Sequence, residues 1–109
     1  MTDFIRGHWR PYEKLRVPIN KTQFLPLDKI SFAEALQHAG YVSGAFGKWH
    51  LGGKDYFPDK QGFDDYHVTG GWGHFFPPVK ATPPINPPEG AYLSEVLTDQ
   101  AERFMEENK

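Results

Sequence analysis

The sequence predicts a segment of an α/β fold, and three observations carry the prediction. A capped amphipathic helix ends at a glycine and leads directly into a short aromatic strand. A second amphipathic helix lies near the end of the chain. Between them, residues 48–90 show no sustained hydrophobic period, a longer stretch than compact domains usually leave without regular structure. One strand cannot make a sheet by itself, so the chain reads as a piece of a larger protein.

The elements come in order. Residues 1–27 look extended and irregular, because Pro11, Pro18 and Pro26 interrupt every candidate helix and Trp9, Tyr12, Leu15, Val17 and Phe24 keep no period. Ser31 and Glu34 form a capping-box pattern in which each side chain can reach the other's backbone amide. Phe32, Ala35, Leu36 and Ala39 then make an apolar stripe, and Gly40 stands where a left-handed residue ends a helix. The helix is predicted over Phe32 to Ala39. Tyr41 to Phe46 reads as a strand that stops at Gly47. Glycine pairs at 52–53 and 70–71 punctuate the middle of the chain, and six of the ten prolines fall between Pro77 and Pro88. That proline-rich stretch reads as a stiff surface connection, with a polyproline ligand for a partner domain as its alternative. The last helix is predicted over Glu95 to Glu107 from Val96, Leu97, Ala101, Phe104 and Met105, with Tyr92-Leu93 as a brief extended lead-in.

Charge and composition exclude several classes of function. Twelve Lys/Arg against fourteen Asp/Glu among 109 residues give a net charge of −2, which removes a general case for nucleic acid or an anionic membrane. No apolar run is long enough to span a bilayer, and Met1 to Arg10 lack the apolar stretch of a secretory signal. With no Cys there is no disulfide frame and no thiolate ligand or nucleophile. The charge is uneven, a local +4 over residues 1–54 and −6 over residues 55–109. A basic half can face an anionic ligand, although such segregation also arises by chance.

The segment Gly44-Ala45-Phe46-Gly47-Lys48-Trp49-His50-Leu51-Gly52-Gly53 carries the most chemistry. Strand geometry extended through residue 50 sends Lys48 and His50 to one face and Trp49 to the other. Trp49 can anchor in the core while an ammonium and an imidazole project together from a strand end, where α/β sheets bind ligands. Lys supplies a compact charge for an anionic oxygen, and His exchanges a proton near neutral pH. On chemistry alone, a solvated Lys beside a packed Trp-His pair fits equally well. Further on, Trp72 and His74 lie in a glycine-spaced aromatic run that can line a sugar subsite or simply cover a core. His67 and His74 have no third ligand near, which argues against zinc. Asp64-Asp65 reads as a solvated turn, His38 as a solvent-side residue, and His8 with Arg6 and Arg10 as a small basic cluster.

Gly40-Tyr41, Ser43 and Phe46-Gly47-Lys48-Trp49-His50-Leu51-Gly52 together resemble the second signature of the type I, formylglycine-dependent sulfatases. Leu25-Pro26 and Ile30 to Leu36 resemble the helix before that signature. Gln61-Gly62-Phe63-Asp64 resembles the Gly-Phe-Asp after it, and Tyr92 to Glu107 resembles a later helix. Thr2-Asp3-Phe4-Ile5 is similar to the segment that comes after the family's nucleophile. The four blocks stand in the family's order and cover most of residues 25–107.

The resemblance implies an alkaline-phosphatase-like α/β fold and a sulfuric ester hydrolase, in a periplasmic, secreted or lysosomal setting. Its substrate is expected to be a sulfated small molecule or glycan. Lys48 matches the Lys that contacts the formylglycine hydroxyl and a sulfate oxygen. His50 matches the His beside the formylglycine diol, which takes the proton as sulfate is released. The resemblance also implies calcium. The family's Cys-x-Pro/Ala-x-Arg motif, its metal-binding Asp and Asn residues and its second Lys and His are all absent. Residues 1–109 are therefore expected to be one internal segment of a catalytic domain, inactive alone, with the formylglycine and the calcium ligands on the rest of the parent sulfatase. The expected catalytic residues are Lys48 and His50, and the expected substrate-binding residues are Lys48, Trp72 and His74. The rival readings are a non-catalytic carbohydrate-binding module using Trp9, Trp72, His74 and Phe75, and a Pro-rich interaction segment.

Overall fold

The computed structural model describes Thr22, residues 24–70 and residues 80–109. Its first element is α1, Phe32–His38, and the capping box is present in full. The Ser31 hydroxyl accepts from the Glu34 amide at 3.1 Å, and the Glu34 carboxylate accepts from the Ser31 amide at 2.7 Å. At the other end Gly40 takes φ +88°, its amide donates to the Gln37 carbonyl, and the Tyr41 amide donates to the Leu36 carbonyl. That paired closure is the Schellman motif, which satisfies carbonyls that a helix end leaves open.

The helix turns a different face inward from the one its stripe predicts. Ala33 is fully buried, whereas Phe32 is 71% and Leu36 is 39% exposed. Ala33 is buried because the chain crosses α1 at Gly62. A Cβ there would lie 2.6 Å from the Glu34 Cα, and the φ of +84° is one that side chains resist. The Ser31 hydroxyl also donates to the Gln61 carbonyl at 2.6 Å, fixing the crossing. Of the apolar stripe, Phe32 meets Phe63 edge-on at 5.8 Å, while Ala35, Leu36 and Ala39 are exposed.

Strand β1 runs Gly44–Lys48, three residues later at its start than the sequence predicts. The reason is local. Tyr41 is held by the helix end, and the Ser43 carbonyl and amide are taken by Asp64, so pairing begins at Gly44. Gly47 does not stop the strand; it carries it through at φ +135°. A crossover containing two short 3₁₀ turns, Lys54–Tyr56 and Pro58–Lys60, leads to β2, Asp65–Thr69. The two strands are parallel, in register from Gly44 opposite Asp65 to Lys48 opposite Thr69. Parallel neighbours require a crossover of this length. A two-residue strand, β3 at Ala81–Thr82, pairs antiparallel on the far side of β2. The described residues between 48 and 90 therefore hold two strands and two turns that the hydrophobic pattern does not reveal.

The last element, α2, spans Leu93–Glu107, with Tyr92 as its N-cap and Leu93 already helical. It covers one face of the sheet. Phe104 packs on Phe46 with ring centroids 5.8 Å apart, and Arg103 binds Asp65 at 2.8 Å. On the opposite face Phe57 meets Tyr66, and Trp49 stands edge-on to Phe63. Burial, with Asp59 adding to it, pushes the Tyr66 hydroxyl above its ordinary value. Among the described residues the buried apolar core is Ala33, Val68, Val96 and Pro58.

Asp64 and Asp65 are not a solvated turn. Asp64 accepts from the Ser43 amide at 2.9 Å and from the Gln37 side chain at 3.0 Å, tying α1 to the start of the sheet. Asp65 ties the sheet to α2 through Arg103. Adjacent carboxylates at a strand start point to opposite sides, so each serves a different neighbour.

Candidate functional site

The carboxyl ends of β1 and β2 lie side by side because the strands are parallel, and Lys48 is the last residue of β1. The ladder continues one step beyond it, with the Trp49 amide donating to the Thr69 carbonyl at 3.0 Å. Exposure alternates over this step: Lys48 and His50 are exposed, and Trp49 between them is half-buried. Trp49 turns to the Phe63 face, and its indole N–H donates to the Tyr56 carbonyl at 3.0 Å. The tryptophan thus anchors the strand end while its neighbours face solvent. Among the described residues no carboxylate pairs with the Lys48 ammonium. Its charge is available to an anionic oxygen.

The residues just beyond His50 hold the strand end in place. The Leu51 carbonyl accepts from the Leu25 amide at 2.7 Å. His50 therefore sits between two backbone anchors, one to β2 through Trp49 and one to the Phe24-Leu25 segment through Leu51. Gly52 adopts φ +131°, and a Cβ on it would lie 2.6 Å from Tyr56 Cβ and 2.9 Å from Phe24 Cβ. Those two rings stack across the glycine at 4.0 Å, 20° from parallel. Gln61, buried, donates from its side-chain amide to the Leu25 carbonyl at 3.3 Å. Phe24 and Tyr56 are not candidates on sequence grounds. Their one signal is Gly52, a glycine two residues after a candidate catalytic His.

A cavity of about 230 Å³ opens at the same end of the sheet, lined by Trp49, Phe57, Val68, Thr69, Lys80 and Thr82 among others. His67 points the other way, toward Phe46, with its Nδ1 3.1 Å from the Pro83 carbonyl oxygen. Among the described residues no three His, Cys, Asp or Glu side chains cluster to hold a metal ion. No helix of the described residues is long and apolar enough to cross a membrane. Trp72, His74, Phe75, Trp9 and the Arg6-His8-Arg10 cluster lie outside the described residues, as do Pro77 and Pro78.

Comparison with known proteins adds a family to this geometry. The sequence pattern of the sulfatase family matches residues 8–109. Arylsulfatase G of Homo sapiens is 40% identical over 89 residues, covering 71% of this chain and 17% of its own length. An N-acetylglucosamine-6-O-sulfatase of Bacteroides thetaiotaomicron is 32% identical over 82 residues, covering 72% of this chain and 14% of its own. An arylsulfatase of Hemicentrotus pulcherrimus is 32% identical over 117 aligned positions, covering 84% of this chain and 21% of its own. The chain thus spans about a fifth or less of the length of these relatives.

Proposed function

The chain belongs to the sulfatase family, and from that premise we propose that the protein containing it is a sulfuric ester hydrolase to which this segment contributes Lys48 and His50. On this reading residues 1–109 are one segment of the catalytic domain and turn nothing over alone. The observation that carries the proposal is the strand end itself, where an ammonium without a carboxylate partner among the described residues and an imidazole project beside an anchored tryptophan.

Hydrolysis of a sulfate ester spreads negative charge over the sulfate oxygens and the departing alcohol oxygen. The Lys48 ammonium offsets charge on a sulfate oxygen, and because its strand is fixed it needs little reorganisation to do so. The His50 imidazole accepts the proton that a neighbouring hydroxyl must lose as sulfate is released, the general-base role that imidazole most often takes. Formylglycine, formed on a residue outside this chain, would supply the attacking hydroxyl. Calcium, on this reading held by the rest of the parent protein, would neutralise charge on the sulfate, and no step assigned to this segment runs through it.

The substrate class we favour is a sulfated carbohydrate. The support is a relative named an N-acetylglucosamine-6-O-sulfatase. The test is sulfate release by the full-length protein from an aryl sulfate and from N-acetylglucosamine 6-sulfate. Turnover of both, with higher kcat/KM on the sugar, is expected. Turnover of the aryl sulfate alone would contradict the carbohydrate assignment, and turnover of neither would contradict the hydrolase reading.

A further inference from the structure

Resting on the role given to His50, we propose that the Phe24–Tyr56 stack is a positioning clamp for that histidine. The backbone on either side of His50 is held, and each neighbour has a different anchor. On one side the Trp49 amide is bound to Thr69 of β2, a strand held by its own ladder. On the other side the Leu51 carbonyl is bound to the Leu25 amide, and Leu25 belongs to no strand or helix. Whatever fixes Leu25 therefore fixes the second anchor. Two contacts do so. Gln61 reaches the Leu25 carbonyl at 3.3 Å, a long bond, and Phe24 stacks on Tyr56 at 4.0 Å. Tyr56 is in turn tied to the strand end, because its carbonyl accepts the Trp49 indole N–H and its amide donates to the Gly53 carbonyl.

The contacts close a ring around the His50 backbone, running Trp49, Tyr56, Phe24, Leu25 and Leu51. Gly52 makes the ring possible. Its positive φ turns the chain back, and any side chain there would strike both aromatic residues. A stacked aromatic pair of this kind contributes geometry as well as burial. Displacement of a proton-transfer group by about 1 Å can cost on the order of 10²-fold in rate. The clamp acts on the step assigned to His50 and not on substrate affinity, so its loss lowers kcat with KM nearly constant.

The experiment is a double-mutant cycle on the full-length sulfatase with Phe24→Ala and His50→Ala, reading kcat, KM and the pH profile of kcat. Phe24→Ala is expected to lower kcat about 10-fold or more with KM within about twofold, to shift the limb of the pH profile that reports His50, and to add little further loss on the His50→Ala background. Phe24→Tyr, which keeps the stack, is expected to restore kcat. Where Phe24→Ala does not fold, Phe24→Leu keeps the bulk without the stack and is read in the same way. A raised KM with kcat unchanged would overturn the clamp, and so would losses from Phe24→Ala and His50→Ala that multiply in full. Full activity of His50→Ala would instead remove the role of His50 itself. An impaired His50→Ala beside an unimpaired Phe24→Ala would remove only the clamp.

Discussion

Three consecutive side chains at a strand end alternate between exposed and anchored. Trp49 is held by one hydrogen bond and one edge-on ring, while Lys48 and His50 face outward. The division is legible in the sequence, because alternation alone separates residue 49 from 48 and 50. The support behind it is not. Leu25 and Leu51 are far apart in sequence and joined by a backbone bond, which no side-chain pattern announces. The division predicts how Trp49→Phe behaves. Losing the indole N–H leaves the Tyr56 carbonyl short of a donor, at a cost of about 1–2 kcal/mol, while the ring contact with Phe63 is retained. Thermal unfolding of the full-length variant should shift down, with kcat lowered no further than by Phe24→Ala because the same ring of contacts is opened; an unshifted melting temperature with lost activity would contradict the anchoring role.

At the scale of elements, the structure separates what patterns record from what they do not. Helix α1 is readable because its caps are chemical: Ser31 and Glu34 must be three apart, and Gly40 must come after the last turn. Its inward face is misread because the apolar stripe is wider than the part that packs, and Gly62 chooses Ala33. Strand β2 escapes notice although Tyr66 and Val68 alternate with Asp65, His67 and Thr69. Only two apolar positions mark it, and a His and an Asp occupy the face that α2 covers. Asp65 is matched there by Arg103 on α2, a pairing invisible until the elements are placed. The crossing at Gly62 gives the sharpest test at this scale. Gly62→Ala adds a methyl where the backbone of α1 already lies, at a positive φ, so it should destabilise by roughly 1–3 kcal/mol. Chemical denaturation of the full-length protein measures it, and a change under about 0.5 kcal/mol would mean that α1 does not pack on this turn.

At the scale of the whole molecule, the three-stranded sheet and α2 of the described residues leave a good deal of apolar surface exposed. Ile30, Phe32, Tyr41 and Val42 are each more than half exposed, and they cluster about α1 and the approach to β1. The buried apolar core of the described residues comes down to four small or medium side chains. Burial on that scale does little to offset the conformational entropy of ordering the chain. The isolated 109-residue chain should therefore unfold over a broad range of denaturant, with an m-value well below that of a compact domain of its length. A sharp two-state transition with a full-sized m-value would show that the segment is an autonomous domain. The sequence points this way through its long irregular middle. The exposed apolar side chains about α1 point the same way. The central claim concerns the strand end, and kcat/KM of Lys48→Ala and His50→Ala in the correctly folded full-length protein tests it most directly. Removing a fixed cation aimed at a sulfate oxygen should lower kcat/KM by about 10²–10³, and removing the proton acceptor by roughly 10²–10⁴. If both variants fold and turn over an aryl sulfate within about threefold of the parent, Lys48 and His50 are surface residues and the site lies elsewhere.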